Sequence, residues 1–82
     1  MVGMKIKVSD LTKRQLQYVR DEANFSADQR LVFEELNKDL YYDYAIMQNL
    51  GLARNRYYSI KRTVLKKVET IINSEEYKST ML

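Results

Sequence analysis

Chain breakers are almost missing from this sequence. Its 82 residues include no proline and two glycines, and only Gly51 stands between two stretches whose apolar residues recur with helical spacing. Tight hairpins rely on residues that accept positive φ, and half-buried strands alternate apolar and polar side chains. Apart from residues 4–8, no stretch alternates in that way. The expectation is an all-α fold, a small four-helix unit that occupies residues 1–82 as a single domain. A domain this small buries only about 60% of the surface of its unfolded chain. Nearly every helically spaced apolar residue is therefore needed for packing.

The first helix is expected to start from a cap at Ser9 or Asp10 and to run to about Ala23, with Leu11, Leu16, Val19 and Ala23 as its buried stripe and Tyr18 flanking. Asn24 and Phe25 break it. Ser26-Ala27-Asp28-Gln29 has the spacing of a capping box, and Phe25 is placed to staple against the stem of Arg30 or Leu31. The second helix runs to about Asn37 and buries Leu31 or Val32, then Phe33 and Leu36. Residues 38–40 read as a connection. The third helix spans about 42–50, and Gly51 supplies the left-handed residue that ends it. A fourth helix runs over about 54–73 on the stripe Tyr57, Ile60, Val64, Val68 and Ile71. Tyr58, Leu65 and Ile72, seven apart, either widen that stripe over the first helix or form a homodimer seam. The tail after Ser74 reads as frayed. Tyr41, Tyr42 and Tyr44 either reach phosphates through their hydroxyls or pack between helices, with Tyr44 and Tyr57 assigned to the core.

Residue types narrow the chemistry. There is no cysteine and no histidine, which removes disulfides, thiolate zinc sites, and Ser–His or Cys–His pairs. No glycine-rich phosphate loop is present, and the carboxylates sit at the spacings of solvated helix faces. Asp43 and Glu69 could in principle join others at a magnesium site, but nothing singles them out. The expectation is a binding protein, not an enzyme, with no cofactor and no metal. Apolar runs are too short to span a bilayer, and residues 1–8 lack the apolar stretch of a signal peptide. A cytoplasmic protein without membrane contact is expected.

Charge is segregated along the chain. Residues 52–68 contain Arg54, Arg56, Lys61, Arg62, Lys66 and Lys67 with no acid, whereas residues 21–43 contain seven acids against Arg30 and Lys38. The net charge of +3 conceals this division. It suggests a basic face for a polyanion and an acidic face turned away from it.

The stretch 43–62 gives that face a shape. A helix-turn-helix needs apolar residues one turn apart on its first helix, a tight turn often containing Gly, a plug after the turn, and two apolar positions on its second helix. Ile46 and Leu50, Gly51, Leu52, and Tyr57 and Ile60 fill those places. The outward residues of the second helix are then Arg54, Asn55, Tyr58, Ser59 and Arg62, flanked by Arg56, Lys61, Lys66 and Lys67. In this motif the N-terminal half of the second helix enters the major groove. Arg and Asn are suited to bidentate contacts with guanine and adenine, while lysines suit phosphates. Arg54, Asn55, Arg56, Tyr58, Ser59, Lys61, Arg62 and Lys66 are the expected contacts to double-stranded DNA. Neutralising roughly four to six phosphates implies a log–log salt slope of about −4 to −5.

The same residues resemble a known family. Leu50-Gly51-Leu52-Ala53-Arg54-Asn55-Arg56-Tyr57-Tyr58-Ser59-Ile60-Lys61-Arg62, followed by Val64-Leu65-Lys66-Lys67-Val68, looks like the final helix-turn-helix of ArpU/RinA-type phage late-transcription regulators. That module is itself similar to the C-terminal promoter-reading domain of sigma factors. The likeness covers about residues 25–72. It implies a sequence-specific transcriptional regulator of phage or mobile-element origin, with RNA polymerase as a second partner. Two residues depart from the family pattern. Ala53 replaces the serine that caps the second helix, which leaves a later start capped by Asn55 as an alternative, and Met47 stands where such motifs carry Ala. A phage-encoded inhibitor of a host factor, built on the same scaffold, is the competing function.

Overall fold

The computed structural model describes residues 7–38 and 42–81. It is all-helical, with five α-helices among the described residues: α1 (Lys13–Glu22), α2 (Ala27–Asn37), α3 (Asp43–Leu50), α4 (Arg54–Ile72) and α5 (Glu75–Met81). A short 3-10 turn, Val8–Asp10, precedes them. Tyr41 and most of the expected 38–40 connection lie outside the described residues.

The starts of α1 and α2 have a local cause. Ser26 and Gln29 form the expected capping box: the Gln29 amide donates to Ser26 Oγ at 3.3 Å, and the Ser26 amide donates to Gln29 Oε1 at 3.1 Å. The same arrangement opens α1, where Thr12 and Gln15 exchange bonds of 3.1 and 2.8 Å. The cap is therefore Thr12 instead of Ser9 or Asp10. Those two residues belong to the 3-10 turn, in which the Asp10 and Leu11 amides bond to the Lys7 and Val8 carbonyls. Asn24 follows α1 with φ of +53°, a conformation asparagine tolerates better than most residues.

α2 and α4 make the principal packing pair, with α3 against α2 and α1 against α4. Val19 from α1, Val32 and Phe33 from α2, Ile46 from α3, and Tyr57, Val64 and Val68 from α4 form the buried centre. The α4 stripe is thus core, with Tyr57, Val64 and Val68 buried, Ile60 and Ile71 partly buried, and Tyr58, Leu65 and Ile72 packed partly buried beside it. Several expectations are corrected. Residues 75–81 form α5 instead of fraying, because Tyr77 is buried and meets Tyr18 edge-on at 5.5 Å. Ser74 Oγ accepts from the Tyr77 amide at 3.1 Å and so caps this last helix. Of the pair Leu31 and Val32, it is Val32 that is buried, while Leu31 is 52% exposed. Phe25, expected to staple against Arg30 or Leu31, has its ring tilted against that of Phe33 at 5.0 Å. Tyr44 is not core: it is 64% exposed, since it shares the outer face of α3 with Gln48, whose amide donates to its hydroxyl at 2.8 Å.

Two carboxylate links tie the outer helices to α2. Glu34 takes a two-pronged contact from Arg20 of α1, at 2.6 and 2.8 Å. Glu35 accepts from Lys38 at 2.7 Å and from Asn49 of α3 at 3.4 Å. No helix among the described residues is long and apolar enough to cross a membrane.

Candidate nucleic-acid interface

The site is built around the turn between α3 and α4. Gly51 has φ of +66° and ψ of +33°. Its amide reaches the Gln48 carbonyl at 3.3 Å, and the Leu52 amide reaches the Met47 carbonyl at 3.0 Å. This pair of bonds is a Schellman closure, with glycine at its left-handed position. Nothing lies within 4 Å of where a Cβ on Gly51 would sit, so the demand for glycine is purely conformational. Leu52 and Met47 pack partly buried against the core, as do Leu50 and Ile60, while Ile46 and Tyr57 are buried outright. Met47 thus fits beside the turn as a core-lining side chain.

α4 begins at Arg54 with Ala53 as its N-cap residue and no side-chain cap. Asn55 is already inside the helix, so the alternative of a later start capped by Asn55 does not hold. With the helix phase fixed in this way, the expected contact residues divide into two groups.

Asn55, Ser59, Arg62 and Lys66 follow one another at intervals of four, three and four residues, which places them on a single stripe. All four are exposed. Arg62 and Lys66 have no side-chain hydrogen bond or ion pair among the described residues, and neither does the side chain of Asn55. Arg54, also exposed, lies over the Tyr58 ring at 5.5 Å from its centroid.

The other cations are engaged within the protein. Arg56 pairs with Asp28 in the first turn of α2. Lys67 donates to Gln29 Oε1 at 2.7 Å and to the Asn24 carbonyl at 3.3 Å, and sits over the Phe25 ring. Lys61 donates to Asp43 Oδ1 at 2.8 Å. Tyr57 donates to the same oxygen at 2.7 Å, and Tyr58 to Asp43 Oδ2 at 3.2 Å. Tyr58 is therefore half-buried and turned toward α3, set edge-on against Tyr57 at 5.1 Å. The expectation that Tyr58 is fully outward is corrected.

This geometry also revises the reading of the charge division. The acidic stretch does not simply face away from the basic one: Asp28 and Asp43 reach across to hold α4 in place. Each sits in the first turn of its helix, where the backbone dipole already favours an anion. Partial burial opposes ionisation of Asp43, but the bonds from Lys61 and Tyr57 outweigh it and hold its carboxyl below the ordinary range. Burial, and after it the bond to Asp43, pushes the Tyr57 phenol well above its usual value. The magnesium site suggested by Asp43 and Glu69 has no support in this arrangement, since Asp43 already accepts from three donors.

Sequence reasoning placed Arg54, Asn55, Ser59, Arg62 and Lys66 on the outer surface of α4, where they are found. It missed the roles of Asp28 and Asp43. Their partners stand 28 and 18 residues away, and no local spacing marks such pairs. No family model, curated protein or solved structure matches the chain.

Proposed function

We propose that this chain is a sequence-specific double-stranded DNA-binding transcriptional regulator, in which α3, the turn at 51–53 and α4 act as a helix-turn-helix. α4 enters the major groove by its N-terminal half, with Arg54 and Asn55 reading base edges and Arg62 and Lys66 contacting phosphates. The observation that carries this reading is the exposed stripe Asn55, Ser59, Arg62 and Lys66, which starts one turn after Gly51 and contains no acid. The uncapped start of α4 supports it further, because the first amides have no side-chain acceptor and are open to a phosphate. Arg56, Tyr58 and Lys61, expected as contacts, serve the fold instead in this reading.

On the resemblance to ArpU/RinA-type regulators, the proposed activity is late transcription of a phage or mobile element, in a bacterial cytoplasm. Contact with RNA polymerase through α1 and α2, and pairing of two copies on adjacent half-sites, extend the same proposal. Selecting bound fragments from random duplex DNA tests it. Enrichment of one short motif is expected, and Arg54→Ala then relaxes the preference at one base pair by about 1–3 kcal/mol. A pool that stays random contradicts sequence-specific binding.

A second reading is a protein-binding module on the same scaffold. It is favoured by Tyr42 and Tyr44, which are 72% and 64% exposed at the start of α3. Substituting both tyrosines and leaving motif selection unchanged separates the two.

A further inference from the structure

Two ion pairs restrain α4, and they differ in how firmly they can hold. Arg56 is 61% exposed at its side chain and Asp28 43%, so this pair is solvated and opens readily. At the other pair the values are 25% for Lys61 and 31% for Asp43, and the carboxylate also holds two tyrosine hydroxyls. Charge-assisted bonds in a partly dry setting, sharing one acceptor, reinforce one another.

The consequence reaches Arg54. The Tyr58 ring has the Arg54 guanidinium 5.5 Å from its centroid and the Lys61 ammonium 5.9 Å from it, with its hydroxyl tied to Asp43. We propose that Asp43 is a specificity-determining, positioning residue: it holds Lys61 back from the DNA backbone and props the Tyr58 ring against which Arg54 rests. This inference depends on the DNA-binding reading above.

The physical logic is a division between two kinds of contact. Sequence-independent affinity grows with the number of cations that reach phosphates, whereas discrimination comes from base-edge contacts. Withdrawing Lys61 lowers the first. Fixing the base of Arg54 favours the second, because a side chain already aimed loses less freedom on binding. Asp43 touches no nucleotide in this scheme and acts through Lys61 and Tyr58.

Three variants and two readouts test the proposal. Asp43→Asn keeps an acceptor of similar shape but drops the charge that holds Lys61. Asp21→Asn is its charge-matched control, since Asp21 is exposed and, among the described residues, accepts only from Gln17. Lys61→Gln removes the withheld cation with Asp43 intact. On random-sequence duplex, Asp43→Asn is expected to bind about three- to tenfold more tightly, with a log–log salt slope steeper by about one. Asp21→Asn is expected to leave the slope unchanged, and so is Lys61→Gln. Amine acylation followed by mass spectrometry supplies a readout that needs no DNA. Lys61 is expected to label more slowly than Lys66 in the parent protein and as fast as Lys66 in Asp43→Asn. Equal labelling of the two lysines in the parent, with duplex binding intact, overturns the restraint alone. A loss of slope in Lys61→Gln equally overturns it, and this variant does not depend on how Asp43→Asn folds. The labelling contrast without duplex binding by any of the proteins overturns the DNA reading, and the role in discrimination with it.

Discussion

Two sets of cations on α4 carry similar charge and use it differently. In the first, Arg56 and Lys67 on one flank of the helix and Lys61 on the other reach back to groups on α2, α3 and the segment between α1 and α2. In the second, Arg62 and Lys66 extend from the helix without a protein partner among the described residues, and Arg54 rests on an aromatic face. A basic helix is therefore not read by counting its cations. Of the six in residues 52–68, three have hydrogen-bond or ion-pair partners within the protein, and Arg54, Arg62 and Lys66 have none among the described residues.

Substitution at Asp43 breaks that contrast most severely. Asp43→Ala removes the acceptor for Lys61, Tyr57 and Tyr58, and is expected to destabilise the fold by about 2 kcal/mol in urea unfolding. Arg62→Ala, in the second set, is expected to stay within about 0.5 kcal/mol of the parent. Equal costs at the two positions contradict the division between fold and surface.

Acid probes Asp43, together with two paired carboxylates of α2, without mutation. The carboxyls of Asp43, Glu34 and Glu35 are all held below their ordinary values, Glu34 and Glu35 chiefly by their bonds to Arg20 and Lys38. Their contribution is complete above the unfolded-state values, about 4 for such groups. It is lost as pH falls through the lower folded-state values, because the unfolded chain then binds protons first. Thermal melts are expected to hold steady from about pH 7 to about pH 5 and to fall steeply below about pH 4. In Asp43→Asn that fall is shallower.

The turn that leads into α4 gives the next effect. Gly51→Ala forces a side chain into left-handed backbone and is expected to cost about 1–2 kcal/mol. Gly51→Asn is expected to cost less, since asparagine accepts that conformation and the space beside Gly51 is open. A larger loss for Asn than for Ala contradicts a conformational role.

Ala53→Ser is the smallest change and acts in the opposite direction. Supplying the missing cap of α4 is expected to stabilise the protein by about 0.5–1 kcal/mol. If the uncapped amides receive a phosphate, the same substitution weakens DNA binding, because serine competes for them. Urea unfolding and duplex titration of one protein preparation check both signs.

Much of the fold was legible in the residues because its causes are local. The Ser26–Gln29 box, the Gly51 turn and the α4 stripe each depend on residues within a few helical turns of one another. The Thr12–Gln15 box was equally legible and was overlooked in favour of Ser9 and Asp10, which the 3-10 turn occupies. α5 was not legible: seven residues with Tyr77 as their buried side chain show no periodicity. Tyr44 misled because aromatic character suggested burial, while its spacing from Ile46 puts it on the outer side of α3. For the candidate site, helical phase identified the exposed stripe, including Arg62 and Lys66. It could not separate Lys61 and Arg56 from them, because the acids that claim those two lie on other helices.

Salt dependence of binding to a selected duplex is the sharpest check on this assignment of α4. With Arg62 and Lys66 on phosphates and Arg54 on a base edge, log affinity per bound copy is expected to fall against log salt with a slope of about −2, shallower than a count of all six implies. Arg62→Gln is expected to reduce the slope to about −1. A slope near zero, or one that Arg62→Gln leaves untouched, contradicts the assignment of this edge of α4 to DNA.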